Sequence, residues 1–412
     1  MKKTIAIIGG GIGGIVIANK LRNTLPDHVR IMLLEQNKMH TFAASYLWLM
    51  VGQRTTDNIS MPLNRLVDKG VDTVFEEVKS IDTSANRIKT SAQTISYDYL
   101  ILSPGADLDR KYLNRSGEGI HDFYTFEGTQ KLLEALNEIG SGEIVLAIEA
   151  MPYKCPGAPY EAAMLIKDHM NKRGLSGRIN VNLYTPEPQP LPVAGPELGN
   201  SVSRLLEKKG IRFFPNHRLS EVNPGEKKIG FDNGREQSYD LLIVVPKHNP
   251  PAFLANSGLT DESGWVPVDK STLQTRAENV YAIGDTTSVS IPGKWQNDKP
   301  MKLPKAGVFA HGQALVVADL IEAKILGKKT AATFCGDGFC MLEAGEDLAG
   351  FAYGDFFAEP NPQVKMKNLG RLWHFGKVLF EKWWLSPAGI RKTLYQNLLL
   401  AGGRLLGIPI KL

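Results

Sequence analysis

Cysteine is scarce in this sequence: Cys155, Cys335 and Cys340 are the only three among 412 residues. So few thiols argue against a framework of structural disulfides, and we expect them to be either redox-active or simply buried. No Cys/His cluster has the spacing of a zinc site, so no metal centre is expected.

Long apolar runs are also missing. No stretch of about 20 uncharged apolar residues occurs, which argues against a membrane-spanning helix. The N-terminal apolar segment, residues 5–8, leads directly into three glycines without a cleavage site, so we expect no signal peptide. We therefore expect the chain to stay on the cytoplasmic side of a membrane.

Excess positive charge is confined to the C-terminal tail. From residue 365 onward, nine Lys or Arg residues accompany one acid, Glu381, so the tail carries +8 while the whole chain carries +5. The rest of the chain is thus slightly acidic, and we expect no nucleic-acid partner.

A glycine loop stands between the first apolar strand and a helical stretch. In this loop Gly9 permits a tight turn, Gly11 lets a pyrophosphate approach the backbone, and Gly14 allows close packing of helix and strand. A second apolar run ends at Glu35, where a carboxylate can bind ribose hydroxyls. A lone glycine loop also fits an ordinary turn, but the strand, helix and acid at these spacings favour a dinucleotide site.

Two later segments favour FAD over NAD. The strand at residues 97–102 leads into a small-residue run around Gly105, and residues 280–285 form a strand that ends in Gly284 and Asp285. Both resemble motifs of FAD/NAD-linked reductases, in which the aspartate binds the ribityl chain. By itself Gly284-Asp285 also fits a strand-ending turn, but the three motifs in this order predict FAD.

The second nucleotide loop of such reductases is missing. Residues 143–149 read as its strand, yet the following residues, 150–161, hold three prolines in place of glycines. Proline removes backbone donors that would bind a pyrophosphate, and Tyr153 and Tyr160 can fill the space. We therefore expect no pyridine nucleotide here.

A cysteine occupies the vacated loop. Cys155 precedes a predicted helix, whose dipole should favour the thiolate together with the neighbouring Lys154. A small buried cysteine at a strand exit is the plainer alternative.

The run Lys-Cys-Pro-Gly-Ala-Pro-Tyr-Glu at residues 154–161 resembles the redox-cysteine loop of the sulfide:quinone oxidoreductases and of their relatives, the flavoprotein subunits of flavocytochrome c sulfide dehydrogenase. Residues 333–343 resemble the region of that family's partner cysteine, and residues 304–313 its segment beside the flavin pyrimidine ring. The resemblance covers nearly the whole chain.

This resemblance implies an α/β fold with two Rossmann-like domains and a C-terminal α+β membrane-associating region. The FAD domain is expected over residues 1–110 and 260–325, and the second Rossmann-like domain, with the cysteine loop, over 111–259. The quinone and membrane region is expected over 326–412.

The resemblance also implies FAD-dependent oxidation of sulfide to sulfur or polysulfide, with electrons passed to a membrane quinone. Cys340 is the favoured partner of Cys155, because its Cys-Met-Leu-Glu context matches the family better than that of Cys335. Which cysteine faces the flavin stays open, and Cys335 and Cys340 could instead pair with each other.

Further roles follow from the same resemblance. Lys305, or the helix after it, is expected to stabilise the reduced flavin, although a solvated loop lysine is the plainer reading. Glu161 and His311 are candidates for proton transfer. Residues 39–51 lack the cysteine that covalently flavinylated relatives use, so FAD is expected to be non-covalent.

Residues 370–412 read as a membrane-binding surface. Helical spacing in residues 370–385 places Leu372, Phe375, Leu379 and Trp383 on one face, away from Lys377 and Arg371, and residues 390–406 repeat the pattern. Basic residues beside Trp and Leu are typical of interfacial helices on anionic lipid. A dimerisation or core helix pair is the alternative, and a homo-oligomer stays possible.

Two other functions compete with this one. A single-subunit NADH:quinone oxidoreductase would share the two folds and the tail, but the missing second glycine loop disfavours it. A flavin and cysteine redox sensor without turnover is the third possibility.

Overall fold

Two five-stranded sheets, each made of parallel strands, form the frame of the fold. The computed structural model describes residues 3–295, 299–408 and 410. The first sheet consists, in spatial order, of Val280–Ala282, Tyr99–Leu102, Thr4–Ile8, Arg30–Leu34 and Val71–Val74. The second consists of Ile120–His121, Leu241–Val245, Gly142–Ile148, Ile179–Tyr184 and Ile211–Phe214. The central strands are almost wholly apolar because helices or further sheets cover both faces.

The described residues contain eight α-helices. In chain order α1 to α8 these are Ile12–Thr24, Tyr46–Leu49, Phe126–Glu138, Ala158–Lys172, Pro196–Lys208, Gly307–Leu326, Arg371–Trp384 and Ile390–Leu405. Helices α1 and α6 pack together against the first sheet, and α4 packs on the second. None of the helices in the described part of the chain combines the length and the apolar character that a bilayer crossing requires.

Antiparallel strands complete the fold. Three-stranded sheets are formed by Val78–Asp82, Arg87–Thr90 and Thr94–Ser96, by Leu219–Asn223, Lys228–Phe231 and Glu236–Ser238, and by Asp337–Gly345, Leu348–Asp355 and Gln363–Gly370. Two-stranded pairs join Met39–Thr41 to Ser60–Pro62, Asp107–Leu108 to His248–Asn249, Val266–Pro267 to Thr287–Ser288, and Ser290–Trp295 to Lys299–Lys302. The predicted α/β class with a C-terminal region of sheet and helices is confirmed, whereas the predicted domain limits stay predictions.

Helix α7 is tied to the N-terminal part of the chain by a buried carboxylate. Glu381 accepts hydrogen bonds from the Ser45 hydroxyl at 2.5 Å and from the Arg54 guanidinium at 2.9 Å. Farther along the helix, the Trp384 indole donates to His40 Nε2 at 2.9 Å, and His40 Nδ1 donates to the carbonyl of Gly10 at 3.1 Å. The C-terminal region thus contacts the glycine loop directly.

This docking corrects one assignment in the tail. The sequence pattern put Trp383 on a lipid-facing surface, but its side chain is 5% exposed and packs against Phe380 and Trp384. The prediction was wrong for Trp383 because helical spacing shows which residues share a face, not what each of them contacts. Leu372 and Phe375 of the same face stay exposed, whereas Trp383 packs against its neighbours near the end of α7.

Replacement of Glu381 by alanine tests how strongly α7 is held. The change leaves the Arg54 guanidinium without its carboxylate, and breaking a buried ion pair costs about 3–5 kcal/mol. We expect a melting temperature several degrees lower in thermal unfolding of the flavoprotein. Glu322→Ala, which breaks a pair with the exposed Lys328, is the matched control and should cost less than about 1 kcal/mol. Equal effects of the two changes would contradict the docking.

Candidate functional site

A single large cavity of about 2000 Å³ collects the segments that the motifs singled out. It is lined by the first glycine loop, the turns around Gly105 and Gly284, the cysteine loop, the start of α6, the C-terminal sheet and Lys377 of α7. The cavity is therefore bordered by both parallel sheets and by the C-terminal region.

The glycine loop has the geometry that a bound pyrophosphate requires. Gly9 has φ +103°, and a methyl group there would lie 2.2 Å from the carbonyl oxygen of Ser103. A methyl group at Gly14 would lie 1.8 Å from the carbonyl oxygen of Gly9. At Gly11, by contrast, a methyl group would meet no protein atom within 4 Å, because this position faces open space at the start of α1. Each glycine thus meets a different requirement of the site.

Glu35 is held at the end of strand Arg30–Leu34. One carboxylate oxygen accepts from the backbone N–H of Gly10 at 2.8 Å, and the other accepts from the N–H of Asn37 at 2.9 Å. The side chain lines the cavity beside the glycine loop, at the position where an adenosine ribose would bind.

The second FAD segment is fixed by α6. Gly284 has φ +72°, and its N–H donates to the Gln313 side chain at 2.6 Å. Among the described residues no protein donor reaches the Asp285 carboxylate, which lines the cavity. Burial raises the pKa of Asp285, and Lys154 and Lys305 oppose that shift. Together with the open space at Gly11, this free acceptor fits FAD.

Lys305 is turned towards the backbone of this segment. Its ammonium donates to the carbonyl of Asp285 at 2.5 Å and lies 3.3 Å from the centre of the Trp265 ring. Burial lowers the pKa of Lys305 to about 8, although Asp285 opposes the shift. The predicted role of Lys305 beside a reduced flavin stays a proposal.

Cys155 is held in an unusual backbone conformation at the cavity wall. It has φ +51°, and its N–H donates to the carbonyl of Lys305 at 2.6 Å. The thiol is accessible from the cavity but surrounded by protein on its other sides. Burial and, to a lesser extent, Glu161 therefore raise the pKa of Cys155 to about 12, against the opposing effect of Lys377.

The expected activation of Cys155 by Lys154 is thus corrected. The Lys154 ammonium lies 5.9 Å from the centre of the Tyr124 ring and interacts electrostatically with Asp285 and Cys155, but burial dominates and the pKa of the thiol is raised. The helix dipole does not outweigh burial, because protein surrounds the thiol on every side except the one that faces the cavity.

Cys340 lies in strand Asp337–Gly345, opposite the cysteine loop. Its Sγ is 3.8 Å from the position of a methyl group added at Gly157, and Cys155 and Cys340 interact electrostatically. Burial raises the pKa of Cys340 above its ordinary value, and Glu161 and Cys155 add to the shift. Cys335 is an exposed thiol whose Sγ lies 3.7 Å from the carbonyl of Thr333. All three thiols are free in the structure.

A buried ion pair lies beneath the two thiols. Glu161, in the first turn of α4, accepts from the Lys377 ammonium at 2.5 Å and from the N–H of Glu343 at 3.0 Å. Burial lowers the pKa of Lys377, but Glu161, Glu343 and Cys340 together raise it well above its ordinary value. The pair joins the cysteine loop to α7.

The predicted environment of Lys377 is the second assignment in the tail that the structure corrects. The sequence pattern assigned it to the charged edge of a membrane helix, but it is 9% exposed and belongs to the site. The spacing of Lys377, Glu381 and Trp384 follows the period of a buried helix face, and that signal was available. It was overlooked because two of the three residues are charged.

His311 and Glu343 complete the site. Burial lowers the pKa of His311 to about 4, so this imidazole is neutral near pH 7 and lies 6.3 Å from the Trp383 ring. Glu343 accepts from His374 Nδ1 at 2.9 Å. Sequence reasoning did not single out Glu343 or His374, because their meeting depends on how α7 docks.

Tyrosines fill the place of the missing nucleotide loop. Tyr153 and Tyr160 are buried and donate to Glu187 Oε2 at 2.8 Å and 2.6 Å, and Thr185 donates to the same oxygen at 2.9 Å. Both rings are buried, as expected of side chains that fill this space, and the absence of a bound pyridine nucleotide stays a prediction. Glu187 was not anticipated from the sequence.

Metal ligation has no basis in the described residues, which contain no group of three His, Cys, Asp or Glu side chains able to hold an ion.

Comparison with known proteins places these features in context. Residues 3–308 match the family described as "Pyridine nucleotide-disulphide oxidoreductase". The chain is 28% identical to a sulfide-quinone reductase of Aquifex aeolicus over 93% of this chain and 91% of that protein. It is 27% identical to a mitochondrial sulfide:quinone oxidoreductase of Dictyostelium discoideum over 69% of this chain and 65% of that protein.

A solved structure shows the same similarity at the level of the fold. The crystal structure of the Aquifex aeolicus sulfide:quinone oxidoreductase superposes with a TM-score of 0.84 at 25% identity, covering 100% of this chain and 96% of that chain. The similarity thus extends through the C-terminal sheet and helices.

Replacement of Gly11 by alanine tests the flavin site without disturbing the fold. The added methyl group meets no protein atom within 4 Å, so the apoprotein should keep its melting temperature. The methyl group does occupy the space of the pyrophosphate, so we expect at least about tenfold weaker FAD binding. Gly117→Ala, at a second glycine with open surroundings, is the control for equilibrium titration with FAD. Unchanged affinity of Gly11→Ala would contradict the assignment.

Proposed function

The chain belongs to the pyridine nucleotide-disulphide oxidoreductase family, and from that premise we propose that it is an FAD enzyme that oxidises sulfide and reduces a quinone. The observation that carries the proposal is the meeting of Cys155 and Cys340 at the cavity, above the buried pair of Glu161 and Lys377. The sulfide:quinone oxidoreductases similar to this chain over most of its length support the choice of substrate and acceptor.

FAD is the cofactor of the proposed reaction. Its binding residues would be Gly9, Gly11, Glu35, Gly105, Gly284 and Asp285, which line the cavity, while Gly14 would support the loop by close packing against Gly9. When bound, FAD supplies the two-electron chemistry that reoxidises the cysteine pair and reduces the quinone. We propose non-covalent binding, because residues 39–51 of the cavity wall include no cysteine.

Thiol–disulfide exchange describes the first step. In the oxidised enzyme Cys155 and Cys340 share a disulfide, and hydrosulfide attacks the sulfur of Cys155. A new S–S bond forms as the old one breaks, so Cys155 becomes a persulfide and Cys340 leaves as a thiolate. The two electrons come from the sulfide sulfur. The opposite order of the two cysteines is the alternative.

Protein charges assist this step. Lys377 lies near both cysteines and favours the thiolate form, because the ammonium lowers the pKa that burial raises. Glu161 is placed to accept the proton that the persulfide releases. Both hydrogen bonds that its carboxylate accepts from described residues end on Oε2, so Oε1 is the oxygen that would take the proton. Lys305 fixes the cysteine loop through the N–H of Cys155.

Serine variants of the three cysteines test the pairing. Cys155→Ser and Cys340→Ser should slow flavin reduction by sulfide at least about 100-fold, since no disulfide remains for hydrosulfide to attack. Cys335→Ser is the matched control and should keep most of the rate. Anaerobic stopped-flow absorbance measures the reduction, and the flavin spectrum before mixing shows that FAD is retained.

Two results would contradict this account. One is loss of the reaction in Cys335→Ser alone, which would change the pair. The other is rapid flavin reduction by NADH with none by sulfide, which the tyrosine-filled second nucleotide site argues against.

The source of the quinone follows from the tail. Among the described residues, large hydrophobic side chains exposed to solvent are concentrated on α7 and α8, at Leu372, Phe375, Ile390, Leu394, Leu398 and Leu405. Exposed basic side chains accompany them at Arg371, Lys382, Arg391 and Arg404. We propose that this surface lies on an anionic membrane face, from which quinone reaches the cavity.

Replacement of exposed apolar residues tests the membrane surface. The double variant Phe375→Ser, Leu394→Ser removes apolar area that a bound membrane would bury, so we expect at least about tenfold weaker binding to anionic vesicles. Cosedimentation measures the binding, and Asn397→Ser, at an exposed polar position of α8, is the control. Full binding together with a change of oligomeric state would instead identify a subunit interface.

A further inference from the structure

A second layer of charge lies beyond the ion pair of Glu161 and Lys377. The Lys377 ammonium interacts with the carboxylate of Glu343, and Glu343 Oε2 accepts from His374 Nδ1 at 2.9 Å. These four residues come from α4, from strand Asp337–Gly345 and from α7. We refer to Glu161, Lys377, Glu343 and His374 as the acid–base cluster.

The acid–base cluster holds more negative than positive permanent charge. Glu161 and Glu343 are each 1% exposed, and Lys377 is the one lysine that contacts them in the described part of the chain. A buried excess charge is costly unless it is balanced. A further negative charge nearby therefore favours uptake of a proton by His374 or by one of the carboxyl groups.

Glu343 has room for that proton. Its Oε1 is buried and has no hydrogen-bond partner among the described residues, while Oε2 accepts from His374. Burial raises the pKa of Glu343, and Lys377 and His374 oppose the shift. The proton can therefore lie on Glu343 Oε1 or on the imidazole.

His374 connects the acid–base cluster to solvent. Its side chain is 13% exposed, and its Nε2 lies 3.9 Å from a carboxylate oxygen of Asp347, an exposed residue. Among the described residues, the titratable and charged groups that face the cluster from the packed elements are Cys155, Cys340, Tyr124, Asp347, Arg54 and Glu381, and the last two are paired with each other.

We propose that Glu343 and His374 store a proton for the cysteine pair, taken up from solvent when the disulfide is opened. This role rests on the proposed function. Attack by hydrosulfide breaks one S–S bond, forms another, and leaves one added negative charge on the departing sulfur. The stored proton offsets that charge at a distance, so the sulfur stays a thiolate and keeps its electron pair for the next step.

Two variants should respond in opposite directions. His374→Gln removes the imidazole, a group that can take up a proton as the pH falls. We expect flavin reduction by sulfide to be about tenfold slower than in the wild type at pH 6, with the two rates converging by about pH 9. Glu343→Gln is neutral at every pH, so it should match or exceed the wild-type rate at high pH.

The rate of flavin reduction in each variant is divided by the wild-type rate at the same pH. Because the protonation of sulfide affects both rates equally, it cancels in this ratio. His28→Gln, at an exposed histidine, is the matched control and should give a ratio near one at every pH. Flavin spectra and melting temperatures establish that each variant is folded. A merely structural role predicts equal losses in both variants at every pH, and ratios that do not vary with pH would overturn the proposal.

Alkylation provides a readout that needs no sulfide. In the reduced flavoprotein with Cys335→Ser, His374→Gln should slow the reaction of the remaining thiols with iodoacetamide about tenfold near pH 6, because less thiolate is present. If sulfide fails to reduce the wild-type flavin, the proposed function fails, and the alkylation rate alone tests the proton store of Glu343 and His374. Slower alkylation in His374→Gln supports the store, and an unchanged alkylation rate overturns it.

Discussion

The ion pair between Glu161 and Lys377 is the interaction on which the arrangement of the site depends. It joins the first turn of α4, directly after the cysteine loop, to α7. The Glu161 carboxylate also accepts a hydrogen bond from the strand that carries Cys340. Removal of either partner would leave a buried charge unpaired, at a cost of about 3–5 kcal/mol. Two cysteines far apart in sequence thereby meet at one cavity.

The same helix couples the flavin site to the outer surface. On its buried side α7 holds Lys377, Glu381 and Trp384, which reach the cysteine loop, Arg54 and His40 in turn. On its outer side it exposes Leu372 and other apolar residues. One helix therefore contacts a reactive site and a candidate membrane face, which shortens the path between the flavin and a lipid-soluble acceptor.

Local patterns were sufficient for much of this description. The glycine loop, the turns at Gly105 and Gly284 and the loss of the second nucleotide loop are short-range features, and they predicted the α/β fold and the flavin site. The environment of Cys155 was not predictable in this way. Helix position and Lys154 suggested a lowered pKa, whereas burial and Glu161 raise it, because the depth of the thiol and the charges around it depend on how the chain folds. Contacts between residues more than 200 positions apart leave no local signal.

Peptide mapping of the oxidised enzyme is the most direct test of the central claim, that Cys155 and Cys340 form the redox pair. The flavoprotein would be oxidised with excess quinone, alkylated to block free thiols, digested and analysed by mass spectrometry. The account predicts a peptide that links Cys155 to Cys340, either directly or through added sulfur, with Cys335 alkylated. A link between Cys335 and Cys340, or three alkylated thiols, would contradict it.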